Sequence, residues 1–184
     1  MSMGSLTWQG AYAILADARK ELESDTICAA ITRLGKPYDE QQVKLAAPLV
    51  SKYLSHENHV VRYQAIWFLG CWGKLREYLA SVIQSAQSDA DFDNRAFAAR
   101  CAGQLLKSHH DAKAATVLLH LATAQEEVSE VRLGAYSALL YAFWGEAARN
   151  RAREFEPTGN KSVSDFDLSW LASLPQWIQR VSEP

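Results

Sequence analysis

The sequence predicts an all-α fold built from tandem helix pairs, and two observations carry that prediction. Apolar residues recur at helical spacing along most of the chain, and nothing alternates with period two over a useful length. In addition, a ten-residue pattern returns. VRYQAIWFLG (61–70) aligns without gaps to NRAFAARCAG (94–103) and to VRLGAYSALL (131–140). Arg62, Arg95 and Arg132 coincide, as do Ala65, Ala98 and Ala135, at spacings of 33 and 37 residues. A fainter copy is TICAAITRLG (26–35), with Ile27 in place of the arginine and Ala30 keeping the alanine. Self-similarity at this period is the signature of a helical solenoid, in which stacked pairs bury faces that one pair alone leaves open.

The elements follow in order. Residues 6–22 have apolar positions at helical spacing. In 24–35, Ser24 or Asp25 can cap a helix and Gly35 can end it. GKPYDE reads as a turn, and 41–54 as a helix that Pro48 kinks or delays. SHEN connects to a helix over 59–73, and further helices are expected at 75–87, 94–107, 112–124 and 129–148. A polar break, EFEPTGNKSVSD (154–165), precedes a C-terminal helical cap at 164–182. There Ser164 suits an N-cap, Asp165 and Asp167 suit the first turn, and Ser173 before Pro175 suits a second start. Trp170, Leu171, Leu174, Trp177, Ile178 and Val181 are its expected docking residues. The chain is thus expected to be a single domain, 1–184, of about four helix pairs (6–35, 41–73, 75–107, 112–148) and a cap.

The motif Val-Arg-x-x-Ala-x-x-x-Leu-Gly after a short polar turn resembles the second helix of a HEAT or HEAT-like repeat, over roughly residues 24–148. The resemblance implies an α-α superhelix. It also implies that the arginines meet acidic residues in the turns of neighbouring repeats, with Asp91, Asp93, Glu127 and Glu130 as candidates. The helical period makes Val61, Ala65, Phe68, Leu69 and Trp72 the core side of the first clear copy. In HEAT-like arrays the second helices line the concave surface. The resemblance therefore puts Tyr63, Trp67, Phe97, Arg100, Gln104, Tyr141 and Trp144 on or near one groove. Aromatic residues with arginine make up the usual composition of binding hot spots.

Composition narrows the function classes. The 184 residues suffice for a domain with its own core, and 48% are hydrophobic. A net charge of −2 leaves no broad basic face for nucleic acid. The second helices carry too little positive charge to hold a DNA backbone. Three widely spaced cysteines form no disulfide framework, the N-terminus lacks the pattern of a secretory signal, and no apolar run spans a bilayer. A cytoplasmic location is expected, with no membrane association.

The motifs of chemistry fail one by one. SDADFDNR begins like a calcium loop, but Asn94 and Arg100 stand where glycine and glutamate are required. A capped acidic helix start explains it better. His56, His59, His109, His110 and His120 show no zinc spacing, and the single His-Glu pair in SHENH does not reproduce a HEAT-like hydroxylase iron site. Cys101 falls on the core side and Cys71 on the groove side. Arg149, Arg151 and Arg153 suit a helix C-terminus. No catalytic residue, metal or cofactor is assigned. The expected function is non-enzymatic protein binding through the aromatic and arginine face. An inhibitor is one concrete form, such as an immunity protein against a toxin or secreted effector. The alternative is a HEAT-like nucleic-acid-binding or DNA-repair enzyme, with Asp93 the nearest candidate acid.

Overall fold

The computed structural model describes residues 6–17, 22–36, 39–107, 111–144 and 148–180. Among them the chain is helical, with no strand, which makes the protein all-α as its periodicity predicts. The turn at Pro37 and Tyr38, His109, His110 and Val181 lie outside the described residues. The chain forms two compact units, 1–75 and 76–184.

The first unit holds α1 (Trp8–Ala16), α2 (Ser24–Gly35), α3 (Glu40–Val50) and α4 (His59–Ile66). Helix starts follow from side-chain acceptors for orphan N–H groups. Thr7 accepts from the Gly10 amide at 3.1 Å, Asp39 from Gln41 and Gln42, and Asn58 from Val60 at 2.9 Å. Pro48 falls in the last turn of α3, and the chain then tightens into a 3₁₀ turn, Ser51–Ser55. Helix α2 lies centrally and packs against α1, α3 and α4. Ile31, Leu34, Val50, Val61, Ala65, Ile66, Phe68 and Leu69 are fully buried there. Each large one of these contributes about 1.5–3 kcal/mol relative to exposure.

Helix α4 does not keep its α period. It passes into a π-helical segment, Trp67–Trp72, closed by the Gly73 amide donating to the Phe68 carbonyl at 2.8 Å. The segment ends at Lys74, whose φ of 48° is left-handed. A 3.6-residue period sets positions five apart about 140° away from each other. A π turn brings them onto one face. Trp67 and Trp72 therefore meet, with ring centroids 4.2 Å apart. The expected sorting, with Trp72 interior and Trp67 on the opposite side, does not hold: both are half-buried and paired.

The second unit holds α5 (Leu79–Ser88), α6 (Phe92–Leu106), α7 (Ala112–Thr123), α8 (Ser129–Trp144), α9 (Arg149–Arg153) and α10 (Leu168–Arg180). Asp91 caps α6 through the Asn94 amide at 3.0 Å, as the acidic start of SDADFDNR predicts, and Asp111 caps α7. The longest shared surface is that between α6 and α8. It is set by glycine at two points. A β-carbon on Gly134 would stand 2.5 Å from the Ala96 carbonyl oxygen, and one on Gly103 would stand 2.5 Å from the Ala138 Cα. The backbones therefore touch. The repeat alanines Ala98 and Ala135 are fully buried.

The C-terminal segment differs from expectation in its starts. Ser162 and Asp165 form a capping box on a 3₁₀ turn, Val163–Asp165, and Asp167 rather than Ser164 caps α10 through the Trp170 amide at 2.9 Å. Helix α10 then runs unbroken through Pro175, and Ser173 bonds back to the Trp170 carbonyl at 2.6 Å instead of opening a new helix. Leu171, Leu174 and Ile178, spaced i, i+3 and i+7, are buried, and α10 packs on α7. Trp177, also expected to dock, is 55% exposed.

Candidate functional site

The three repeat arginines do structural work. Arg62 Nη1 donates to the His56 and Glu57 carbonyls, each at 2.8 Å. Arg95 Nη1 donates to the Asp89 carbonyl at 3.0 Å, and Arg132 Nε to the Ala122 carbonyl at 3.3 Å. Each arginine thus ties its helix to the turn or helix end that precedes it, satisfying carbonyls left without helical partners. Arg95 also spans 32 residues to Glu127, with Nη2 2.8 Å from Oε1. Burial opposes ionisation of Glu127, but the hydrogen bonds from Arg95 and the Val128 amide prevail and hold its carboxyl below the usual range. Of the four candidate acids, Glu127 joins a repeat arginine and Asp91 serves as a helix cap.

The seven expected binding residues divide between the two units. Tyr63 and Trp67 belong to the first. Tyr63 is exposed, and Trp67 lies against Trp72, whose ring covers Gly35 so closely that a β-carbon there would meet it at 2.5 Å. Phe97, Arg100, Gln104, Tyr141 and Trp144 belong to the second. Phe97, Arg100, Gln104 and Tyr141 are half-buried, and Trp144 is exposed. The Arg100 guanidinium lies over the Phe97 ring, 5.6 Å from its centroid, and Arg151 lies over Trp144 at 5.4 Å.

The 149–170 segment returns across α8 and covers part of this surface. Tyr136 is its anchor: fully buried, stacked on Phe166 at 4.2 Å, and edge-on to Phe155 and Trp170. Its hydroxyl accepts a hydrogen bond from the Asp167 amide at 3.1 Å. Trp144 meets Trp170 edge-on at 6.0 Å. Sequence reasoning missed this cluster. The signal was available in the repeat alignment, where Tyr136 shares a column with Ile66 and Ala99, all three fully buried. Phe155 lies within the polar break and Phe166 directly follows it.

Beneath Phe155 and Pro157 lies a cleft of about 90 Å³. Its charged groups are Asp93 and Arg100 of α6 and Glu130 of α8, and Leu133 adds an apolar wall. Asp93 and Glu130 sit in the first turns of their helices, where a negative charge suits the macrodipole. Arg100 is seven residues on from Asp93, on the same side of α6, and helical side chains lean toward the N-terminus. Among the described residues, none of these three charges pairs with another within ion-pair distance.

Among the described residues, no group of three or more His, Cys, Asp or Glu is placed to hold a metal ion. Cys101 is buried, as its core-side position predicts, and Cys28 and Cys71 are half-buried. Burial, and then the nearby Asp25 charge, push the Cys28 thiol up, away from the thiolate that nucleophilic chemistry needs. No helix among the described residues is long and apolar enough to cross a membrane. No protein-family model matches the chain, and no curated protein matches it at a significant level.

Proposed function

We propose that this all-α chain is a HEAT-like, non-catalytic protein-binding module of the cytoplasm, with a dedicated inhibitor such as an immunity protein as its concrete form. The observation that carries the reading is a pair of aromatic–arginine stacks within one unit: Arg100 over Phe97 and Arg151 over Trp144. Rigid aromatic area beside a preorganised guanidinium is the composition from which interface hot spots are made. Trp177 on α10 adds exposed aromatic surface within the same unit.

The test is capture of a cross-linked partner from the native host, followed by titration of the purified pair. Trp144→Ala should weaken binding at least tenfold, since central aromatic truncations cost 2 kcal/mol or more. Circular dichroism should show the helical content unchanged. Affinity that survives both Trp144→Ala and Phe97→Ala would remove this surface from consideration. Binding of duplex DNA at low salt, weakening steeply as salt rises, would favour the nucleic-acid alternative.

A further inference from the structure

We infer that the cleft between α6, α8 and the 155–157 turn binds a small zwitterion of the α-amino acid class. Arg100 takes the carboxylate, and Asp93 and Glu130 take the ammonium group. The cleft goes beyond the protein-binding surface and shares only Arg100 with it.

Charge sets the class. Asp93, Arg100 and Glu130 line one cleft, and among the described residues none is bonded to another. An isolated cation would meet Arg100, and an isolated anion would meet two carboxylates. A ligand carrying both charges satisfies all three groups. Arg100 is half-buried as a residue, and its guanidinium is set against the Phe97 ring, which leaves its fork of donors for a carboxylate. Asp93 and Glu130 enter from the first turns of two helices locked together at Gly134 and Ala96, so their anchor points are fixed before a ligand arrives.

Size and lining agree. A space of about 90 Å³ suits a small molecule on the scale of an amino acid with a small side chain. Leu133, Phe155 and Pro157 supply apolar wall for its carbon atoms. No covalent step is involved.

The experiment is calorimetric titration of the full chain with glycine, L-alanine and L-serine, each beside its methyl ester and its N-acetyl derivative. Saturable binding of at least one free amino acid is expected, falling at least tenfold when either charge is blocked. Arg100→Gln and Glu130→Gln should each cause a comparable loss, with the unliganded melting temperature as the control for folding. The blocked ligands test the same point on the unaltered chain. Absence of saturable binding by all three amino acids overturns the proposal. So does an ester or an N-acetyl derivative that binds as well as its parent, which would mean a site for one charge only. These outcomes leave the protein-binding proposal standing, because that is read from Trp144→Ala and partner affinity.

Discussion

Gly134 of α8 rests against the backbone of Ala96 in α6, so near that a β-carbon would stand 2.5 Å from the Ala96 carbonyl oxygen. The obstacle is backbone, not the tip of a flexible side chain. Gly134→Ala therefore has to push two long helices apart. The helix propensity gained, at most about 1 kcal/mol, does not offset that. A net loss of about 1–3 kcal/mol is expected, by analogy with overpacked cores. For a chain of this size it corresponds to a fall in melting temperature of roughly 2–12 °C. A variant as stable as the parent would mean that α6 and α8 are not in backbone contact.

The Tyr136 hydroxyl joins α8 to the start of α10 by accepting from the Asp167 amide, 31 residues away. Tyr136→Phe keeps the stack on Phe166 and deletes only the acceptor. A donor left without its partner costs about 1–3 kcal/mol. The loss should be local, since the ring remains packed. Limited proteolysis should therefore cut within 154–165 faster in the variant, with a smaller effect on cleavage elsewhere. Equal cleavage rates would show that the hydroxyl does not hold the segment.

The class of fold was legible because it rests on periodicity, which survives in a single sequence. The resemblance implied that Arg62, Arg95 and Arg132 meet acidic residues in neighbouring turns; Arg95 does so with Glu127, and all three bond carbonyls of a preceding turn or helix end. Two things were not legible, for definite reasons. The π winding at Trp67–Trp72 changes the period by one residue, so an α-helical wheel assigns Trp67 and Trp72 to opposite sides. The Tyr136 cluster depends on a segment that reads as a polar linker and yet contributes Phe155 and Phe166 to the core. The alignment column of Tyr136 marks a buried position, but it does not name the distant residues that pack against it. The charges of the cleft were visible only as separate candidates: Arg100 as a contact residue, Asp93 and Glu130 as partners for repeat arginines, and Asp93 also as the acid of the enzyme alternative.

Arg95 and Glu127 make a pH-dependent contribution to stability. Glu127 is held below the usual carboxylate range in the folded protein. A depressed folded pKa stabilises above the unfolded value, and the contribution is lost as pH falls through the folded one. At neutral pH, Glu127→Gln should therefore cost about 1 kcal/mol, the scale of a charged hydrogen bond discounted for partial exposure. The gap between parent and variant should narrow as pH drops below about 4.5, the ordinary glutamate range. Urea titrations across that interval measure it. A gap independent of pH would mean that the carboxylate charge contributes nothing to the pair.

The π segment predicts a spectroscopic signature. Trp67 and Trp72 sit with ring centroids 4.2 Å apart at an interplanar angle of 47°. Two indoles that close and neither parallel nor perpendicular couple their transitions, giving a paired positive and negative band in far-ultraviolet circular dichroism. Trp144 and Trp170, farther apart at 6.0 Å and nearly perpendicular, provide the comparison. Either Trp67→Phe or Trp72→Phe should abolish most of the couplet, and Trp144→Phe should leave most of it. The two first-unit substitutions should differ in stability. The Trp72 ring also covers Gly35, so trimming it opens space against α2. Trp72→Phe should therefore destabilise more than Trp67→Phe, by about 1 kcal/mol for the added void. A couplet that survives both single substitutions would place the two rings on different faces, as an uninterrupted α-helix would, and would remove the π winding with it.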